Sequence, residues 1–392
     1  MRLLHVFTAP QTLALVGAQV DYLSARGFEI RAISSPGDRL DEFGSEHGIS
    51  VTAVAMRRAI SPVADVGALI RLVRAIRSFR PHIVHSHTPK AGLLGTLAAT
   101  LARTPLRIYQ IRGLLSTASG GARGALYDSM ERVSCRLAHH VIYQSSSLSK
   151  EALSHRLCSP ERSSVLGSGG NGIDVTGRFD PKRHPPATKS GIRSQLGIDD
   201  QDLVIGFVGR LVRDKGISDL VTAWQTLRRE FPRAHLLLVG PPEERDALTL
   251  SVNEVLDSDP RVHRTGLVPD VAPYYAAMEL LVLPSYREGL PNAPLEAAAL
   301  QTPVVTTNVT GCVDAVVDGV TGTLVPPRDP VALAAAIRIY LESPELRGNH
   351  GLAGRRFVIE HFSEDSVCEA IHAFYERLWT ERCGEPSHGA AI

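Results

Sequence analysis

Twice along this chain a series of short apolar runs alternates with amphipathic stretches of helical length, and a glycine- and proline-rich break separates the two series. Strands joined by helix-length crossovers pair in parallel, and the crossovers cover both faces of the resulting sheet. The first series has strand candidates at 3–7, 29–34, 50–54, 82–86, 106–110, 140–144 and 163–166, with helical stretches near 12–26, 38–47, 64–79, 90–102, 123–138 and 147–156. The second has strand candidates at 203–208, 235–239, 262–265, 280–283, 304–306 and 322–325, with helices near 217–230, 244–256, 292–299, 330–341 and 344–359. The break at 167–202 contains Gly167, Gly169, Gly170, Gly172, Gly177, Pro181, Pro185 and Pro186, which is linker composition. The pattern predicts two doubly wound domains, 1–180 and 181–362, then a helix over 363–383 that packs back on the N-terminal domain and a frayed tail at 384–392.

Size agrees, because 392 residues exceed what one hydrophobic core covers. Hydrophobic residues make up 44% of the chain, yet no apolar run approaches the ~18–20 residues of a spanning helix. The opening Met-Arg-Leu-Leu-His-Val-Phe-Thr has neither the apolar length nor the cleavage site of a secretory signal, so a cytoplasmic protein is expected. Five cysteines, odd in number and without C-x-x-C spacing, read as buried thiols rather than disulfides or a zinc site.

Charge is unevenly distributed. Residues 1–180 contain 21 Lys and Arg against 13 Asp and Glu, a net of +8, and the remainder contains 21 against 28, a net of −7. The first half therefore prefers anionic partners. With aromatic residues at 5% and no basic-aromatic interleaving, nucleic acid is not expected, and an anionic lipid surface or phosphorylated small molecules fit better.

Two segments of the second half carry chemistry. Strand candidate 203–208 leads into Gly209-Arg210-Leu211-Val212-Arg213-Asp214-Lys215-Gly216 and then a helix. Glycines permit close backbone approach, a helix N-terminus offers N–H groups, and Arg210 and Lys215 add positive charge, which together make an anion cradle. Strand candidate 280–283 leads into Pro284-Ser285-Tyr286-Arg287-Glu288-Gly289-Leu290-Pro291-Asn292-Ala293-Pro294-Leu295-Glu296. Here Asn292 is the expected N-cap, with Glu288 in the loop and Glu296 in the first helical turn. Carboxylates accept paired hydrogen bonds from the vicinal diol of a ribose or hexose, and loop N–H groups from Gly289 to Ala293 suit phosphate or sugar oxygens. Asp200-Gln201-Asp202 is a D-x-D, but it lies in the linker and is read as solvated rather than metal-binding.

These segments resemble the retaining family 4 glycosyltransferases of the GT-B fold, over nearly the whole chain. The G-R-x-x-x-x-K-G loop at 209–216 and the E-x7-E pair Glu288 and Glu296 stand at the expected separation. Asn171-Gly172-Ile173-Asp174, Gly266-Leu267-Val268-Pro269-Asp270 and Val317-Asp318-Gly319-Val320-Thr321-Gly322 support them. The resemblance implies an α/β fold, GT-B, with two Rossmann-like doubly wound domains facing across a cleft. It implies that Arg210 and Lys215 hold the donor diphosphate, that Glu288 meets the donor sugar hydroxyls and Glu296 the ribose, and that backbone near Val268 meets the base. Gly209 and the loop Gly289, Leu290, Pro291 and Asn292 would complete the donor site. It implies no metal and no other cofactor, since two cations and a helix N-terminus offset the charge on a departing diphosphate.

The first half is expected to take the acceptor. In residues 80–92, Thr88 is placed to cap a helix with Pro89 at its first position and Lys90 beside it, a second anion site by the same logic. His85 and His87 share a strand face without a third ligand and are read as cleft or core histidines rather than a metal site. This segment, with Arg57-Arg58-Ala59-Ile60-Ser61-Pro62, is similar to the branch that extends polyprenyl-diphosphate-linked saccharides. Arg112-Gly113 stands where many members have His-Gly, and the expected acceptor-side residues are His87, Lys90 and Arg112. Arg71, Arg74, Arg77 and Arg80 recur every three residues and suggest a basic helix face for the inner surface of the cell membrane. The implied reaction moves a hexosyl unit from a nucleotide-diphosphate sugar, UDP-linked, to a lipid-linked saccharide with retention. A nucleotide-sugar 2-epimerase, a transferase with a soluble acceptor and a non-catalytic nucleotide-sugar sensor are the alternatives.

Overall fold

The computed structural model describes residues 1–384 except Arg58, Ile60, Ser119, Gly120, Glu244 and Arg245. The expected frayed tail from 385 onward, the Arg58 and Ile60 of the basic segment and the start of the helix expected at 244–256 lie outside the described residues. The chain divides into two compact units, residues 1–172 with 364–392, and 173–363.

The first unit is built on β1 (Arg2–Val6), β2 (Glu29–Ser34), β3 (Ser50–Ala53), β4 (Ile83–His87), β5 (Leu106–Ile111), β6 (His140–Tyr143) and β7 (Ser163–Val165), all parallel in the order β3-β2-β1-β4-β5-β6-β7. Successive strand residues feed opposite faces, as the pleat requires. Leu3 and Ile83 join the core cluster that contains Phe7, Leu13 and Val20, while Leu4 and Val84 join the one with Leu72, Ile76 and Ala98. The C-terminal helix Glu364–Cys383 belongs to this unit, burying Ile371, Phe374, Tyr375 and Leu378 in the first of those clusters.

The second unit carries β8 (Leu203–Val208), β9 (Ala234–Val239), β10 (Val262–Gly266), β11 (Leu280–Leu283), β12 (Val304–Thr307) and β13 (Gly322–Val325), parallel in the order β10-β9-β8-β11-β12-β13. Each sheet therefore reverses direction once, between β1 and β4 in the first unit and between β8 and β11 in the second. Open α/β sheets bind ligands beyond the carboxyl ends of the strands at such a reversal.

Four expectations need correction. The units divide at Gly172/Ile173 rather than at 180/181, because Ile173, Val175 and Phe179 are buried in the second unit's core. Within the supposed linker, Pro186–Gln195 is a helix with Pro186 in its first turn. It is anchored by the fully buried Arg193, which pairs with Glu279 at 2.6 Å and donates to the carbonyls of Ala277, Asp200 and Asp202. The helix expected from 244 runs over Leu250–Ser258, where Thr249 caps it by accepting from the Val252 N–H. All five cysteines are free, but Cys383 is exposed and Cys158 only half-buried.

Candidate functional site

In the second unit the two motif loops leave adjacent strands on either side of the reversal. After β8 the chain closes a short 3-10 turn at Arg213–Lys215 and enters the helix Ile217–Glu230 through Gly216. Gly216 has φ 70°, and a Cβ there would lie 1.9 Å from the Pro284 carbonyl oxygen, so only glycine lets the helix begin against the end of β11. Its N-cap therefore offers no side-chain oxygen, and the positive end of the helix dipole faces the loop unanswered by a cap.

The loop after β11 is bound to this turn. The Tyr286 N–H donates to the Asp214 carbonyl at 2.9 Å, Arg287 grips the Asp214 carboxylate at 2.6 and 3.0 Å, and the Tyr286 hydroxyl donates to Asp219 at 3.0 Å. Lys215 Nζ pairs with the Glu288 carboxylate, which also accepts from Ser285 Oγ at 2.7 Å. Thr306 and Thr307 of β12 hold the carbonyls of Leu283 and Ser285, fixing the strand end from the other side. Gly311 packs so closely that a Cβ would come within 2.7 Å of the Gly289 backbone.

Thus Lys215 and Glu288 are brought together directly, both mostly buried. Arg210 is 55% exposed and pairs with Glu243 at the rim, so it must exchange that partner to reach an anion beside Lys215. Glu296 lies in the second turn of the helix Asn292–Ala299, not the first. It accepts from the Tyr275 hydroxyl at 2.8 Å, and burial raises its pKa while that bond opposes the rise. Asn292 is the first helical residue and Pro291 the N-cap, so Asn292 does not cap. Leu290 and Pro291 are buried and Pro291 has no N–H, which limits their role to loop shape and the Leu290 backbone. Val268 is half-buried against the core at the end of β10, and Gly209 follows β8 with φ 151°. Asp214, Ser285 and Tyr275, which sequence reasoning passed over, hold these groups. Their signal is position at strand ends and loop starts, which becomes readable only once the sheet order is known.

In the first unit the reversal between β1 and β4 is bridged by Thr8 and Thr88, whose hydroxyls lie 2.8 Å apart. Thr88 does not cap the helix Pro89–Leu101, because its hydroxyl turns to Thr8 and its own strand end. Thr8 Oγ1 accepts from the Ala91 N–H at 3.1 Å instead, a cap supplied from across the sheet. Lys90 is not available as an anion site, since its Nζ is held by both oxygens of Asp65 at 2.8 and 2.9 Å and is almost fully buried.

His87 is completely buried, stacked 4.1 Å from Phe7, and joins His5 and His85 in a trio whose ring nitrogens lie within 4.8 Å of one another. His5 Nδ1 and His87 Nε2 are 3.0 Å apart, and His85 Nδ1 is 2.6 Å from the Tyr375 hydroxyl. Burial, with Arg112 adding to it, pushes His5 down to about 3 and His85 and His87 well below the usual imidazole range, so all three are neutral. A third imidazole is thus present, which sequence reasoning lacked. Four of the six ring nitrogens are engaged with one another, Tyr375 and Arg112, while His5 Nε2 and His85 Nε2 are buried without a partner, and a divalent ion there would face the fixed guanidinium. His87 Nδ1 lies 3.3 Å from Arg112 Nη2, so the ring contacts the guanidinium directly.

Comparison with known proteins agrees with this geometry. Residues 14–169 match the family described as glycosyl transferase 4-like domain, and residues 202–343 match glycosyl transferases group 1. The chain is 31% identical over 392 residues to the capsular polysaccharide biosynthesis glycosyltransferase CapM of Staphylococcus aureus, covering 98% of this chain and 99% of that one. It is 30% identical to the alpha-maltose-1-phosphate synthase of Mycolicibacterium smegmatis over 76% of this chain and 79% of the relative. The crystal structure of HepE from Anabaena in complex with UDP-glucose superposes with TM-score 0.81 at 20% identity, over 96% of this chain and 100% of that one. The paired parallel sheets, the loops at the second reversal and the full-length similarity to CapM together make this chain a glycosyltransferase of the group 1 and GT4-like family with the GT-B fold.

Proposed function

We propose that the chain transfers a hexosyl unit from a UDP-linked sugar to a polyprenyl-diphosphate-linked saccharide, with retention at the anomeric carbon, in the synthesis of a capsular or related surface polysaccharide. The observation that carries the donor site is the Lys215–Glu288 pair set against the uncapped start of the helix Ile217–Glu230. A diphosphate entering there takes Lys215 and the helix N-terminus as counter-charge, with Arg210 released from Glu243, and needs no divalent ion. Glu288, freed from Lys215, accepts hydrogen bonds from the sugar hydroxyls, and Glu296, oriented by Tyr275, accepts from the ribose.

In the reaction the bond from the anomeric carbon to the diphosphate oxygen breaks and its electron pair stays on the phosphate. The acceptor hydroxyl bonds to that carbon from the same face, and its proton passes to the departing phosphate oxygen. Lys215 and Arg210 stabilise the charge as it develops. The donor class is supported by the UDP and UDP-glucose bound to HepE, and the pathway by the name of CapM.

Peripheral attachment to the inner face of the cell membrane is part of this reading, and no helix among the described residues is long and apolar enough to cross one. The helix Pro62–Phe79 exposes Val63, Val66 and Ile70 at 88%, 58% and 47%, followed by exposed Arg71, Arg74 and Arg77. Apolar anchors beside cations suit an anionic bilayer. Arg80 falls outside the helix in a left-handed turn, so the basic face ends at Arg77.

The test is a panel of UDP- and GDP-sugars with a polyprenyl-diphosphate-linked saccharide, reading product formation and anomeric configuration by NMR. Acceptor-dependent α-product from an α-linked UDP-hexose is expected. Epimerised donor without acceptor, or inverted product, contradicts the proposal.

A further inference from the structure

Arg112 follows β5 and carries a charge that no carboxylate among the described residues answers. Its Nη1 donates to Gln144 Oε1 at 3.3 Å and to Asn171 Oδ1, and its Nη2 donates to Gln110 Oε1 at 3.2 Å and to His87 Nδ1 at 3.3 Å. Three of these partners are side-chain amides, and the fourth is an imidazole held neutral by burial. Arg112 Nε is buried with no partner. No carboxylate among the described residues pairs with the guanidinium, and burial pushes its pKa down to about 9, so it remains a cation at neutral pH.

Three other arginines held by neutral oxygens show what ordinarily compensates such a charge. Arg107 donates to the carbonyl of Leu137, at the end of the helix Gly121–Leu137. Arg261 donates to the carbonyls of Arg228 and Phe231, at the end of Ile217–Glu230. Arg347 donates to those of Tyr340 and Leu341, near the end of Pro330–Glu342. Each meets the negative end of a helix dipole. Arg112 has the opposite surroundings. The helices Pro89–Leu101 and Ser146–Ser154 begin just beyond β4 and β6, the strands on either side of β5, and turn their positive ends to the same edge of the sheet.

The site is also rigid. Because Arg112 donates to His87 Nδ1, the His87 proton sits on Nε2 and is donated to His5 Nδ1, and the His87 ring is clamped on Phe7. Gln110 Nε2 donates to Gln144 Oε1 at 2.9 Å, and Gln144 Nε2 donates to Asn171 Oδ1 at 3.0 Å, so each amide is oriented with its oxygen toward the guanidinium. A fixed, half-buried cation between two helix N-termini, framed without an acid among the described residues, is an oxyanion receptor.

We propose that Arg112, framed by Gln110, Gln144 and Asn171 and positioned by His87, binds a phosphate or carboxylate oxyanion carried by the substrate of the N-terminal unit. This rests on the reading that the N-terminal unit takes the acceptor. Two sources share that chemistry, the diphosphate of a lipid-linked acceptor and the carboxylate of an acidic sugar.

The test uses the full chain with Arg210→Ala and Lys215→Ala, so that the cradle of the second unit does not take the probe. It is titrated calorimetrically with inorganic pyrophosphate and, separately, with glucuronate, with and without Arg112→Gln. Binding of one probe and at least tenfold weaker binding on Arg112→Gln are expected, with the melting temperature of that variant unchanged or raised because an uncompensated charge has been removed. Binding of pyrophosphate identifies the diphosphate as the source, and binding of glucuronate identifies the acidic sugar. If neither probe binds, or Arg112→Gln binds as tightly as its parent, the proposal is overturned. Should Arg112→Gln fail to fold, Arg112→Lys keeps the charge and loses the fork; at least threefold weaker binding is then expected, and unchanged affinity overturns the proposal. UDP titrations of the unaltered chain report the donor site separately, so failure of one reading is distinguishable from failure of the other.

Discussion

Lys215 and Glu288, 73 residues apart in sequence, form an ion pair across the loops that leave the adjacent strands β8 and β11. On the proposed donor site the carboxylate keeps the lysine in place without donor, and with donor the diphosphate takes the lysine while the sugar takes the carboxylate. The two residues are therefore energetically linked through the ligand. Lys215→Ala is expected to lower kcat by roughly 10²-fold, the scale for losing a preorganised charge partner. The double variant with Glu288→Ala should lose less than the product of the single losses, by about 1–3 kcal/mol of coupling. Initial-rate measurements on the four proteins of the cycle check this, and strict additivity contradicts it.

Glu131 is buried and accepts from the Tyr109 hydroxyl at 2.6 Å, and burial raises its carboxyl from 4.5 to about 7. The fold favours the protonated form, so this group's contribution to stability is complete below its unfolded pKa and disappears as pH rises through about 7. The difference between the two ends is about 3 kcal/mol. Urea unfolding from pH 5 to 8 should show Glu131→Gln with a flatter stability profile than the parent and greater stability at pH 8.

Arg193 is fully buried on Glu279 and several carbonyls, and removing one partner of such a pair leaves the other charged and buried. Arg193→Ala should cost about 3–5 kcal/mol in urea unfolding. A loss below about 1 kcal/mol would show that the helix Pro186–Gln195 does not depend on this anchor.

Binding to vesicles tests the exposed face of the helix Pro62–Phe79. Arg71→Ala with Arg74→Ala should weaken co-sedimentation with anionic vesicles about 10- to 30-fold, at about 1 kcal/mol for each cation. Val66→Asp with Ile70→Asp should weaken it on neutral and anionic vesicles alike.

What the sequence made legible was what depends on local pattern. β8 and β11 are found at the expected bounds because strands buried on both faces are continuous apolar runs, and the helix Ile217–Glu230 begins after the glycine that its steep entry demands. What it hid depends on partners far along the chain. Lys90 reads as a free cation until Asp65 folds onto it from 25 residues away, and Pro185-Pro186 reads as linker because Glu279, which holds Arg193, lies 86 residues further on. The Arg112 site is of the same kind, since Gln110, Gln144 and Asn171 meet only when β5, β6 and the loop after β7 come side by side.

The claim on which the catalytic account turns is that Lys215 and Arg210 grip the donor diphosphate without a divalent ion, and calorimetric titration of UDP-glucose into EDTA-treated protein tests it most directly. The account predicts binding that is unchanged on adding magnesium or manganese and at least tenfold weaker in the variant with Arg210→Ala and Lys215→Ala. Binding that appears only after the metal is restored, or that survives in that variant, would contradict it.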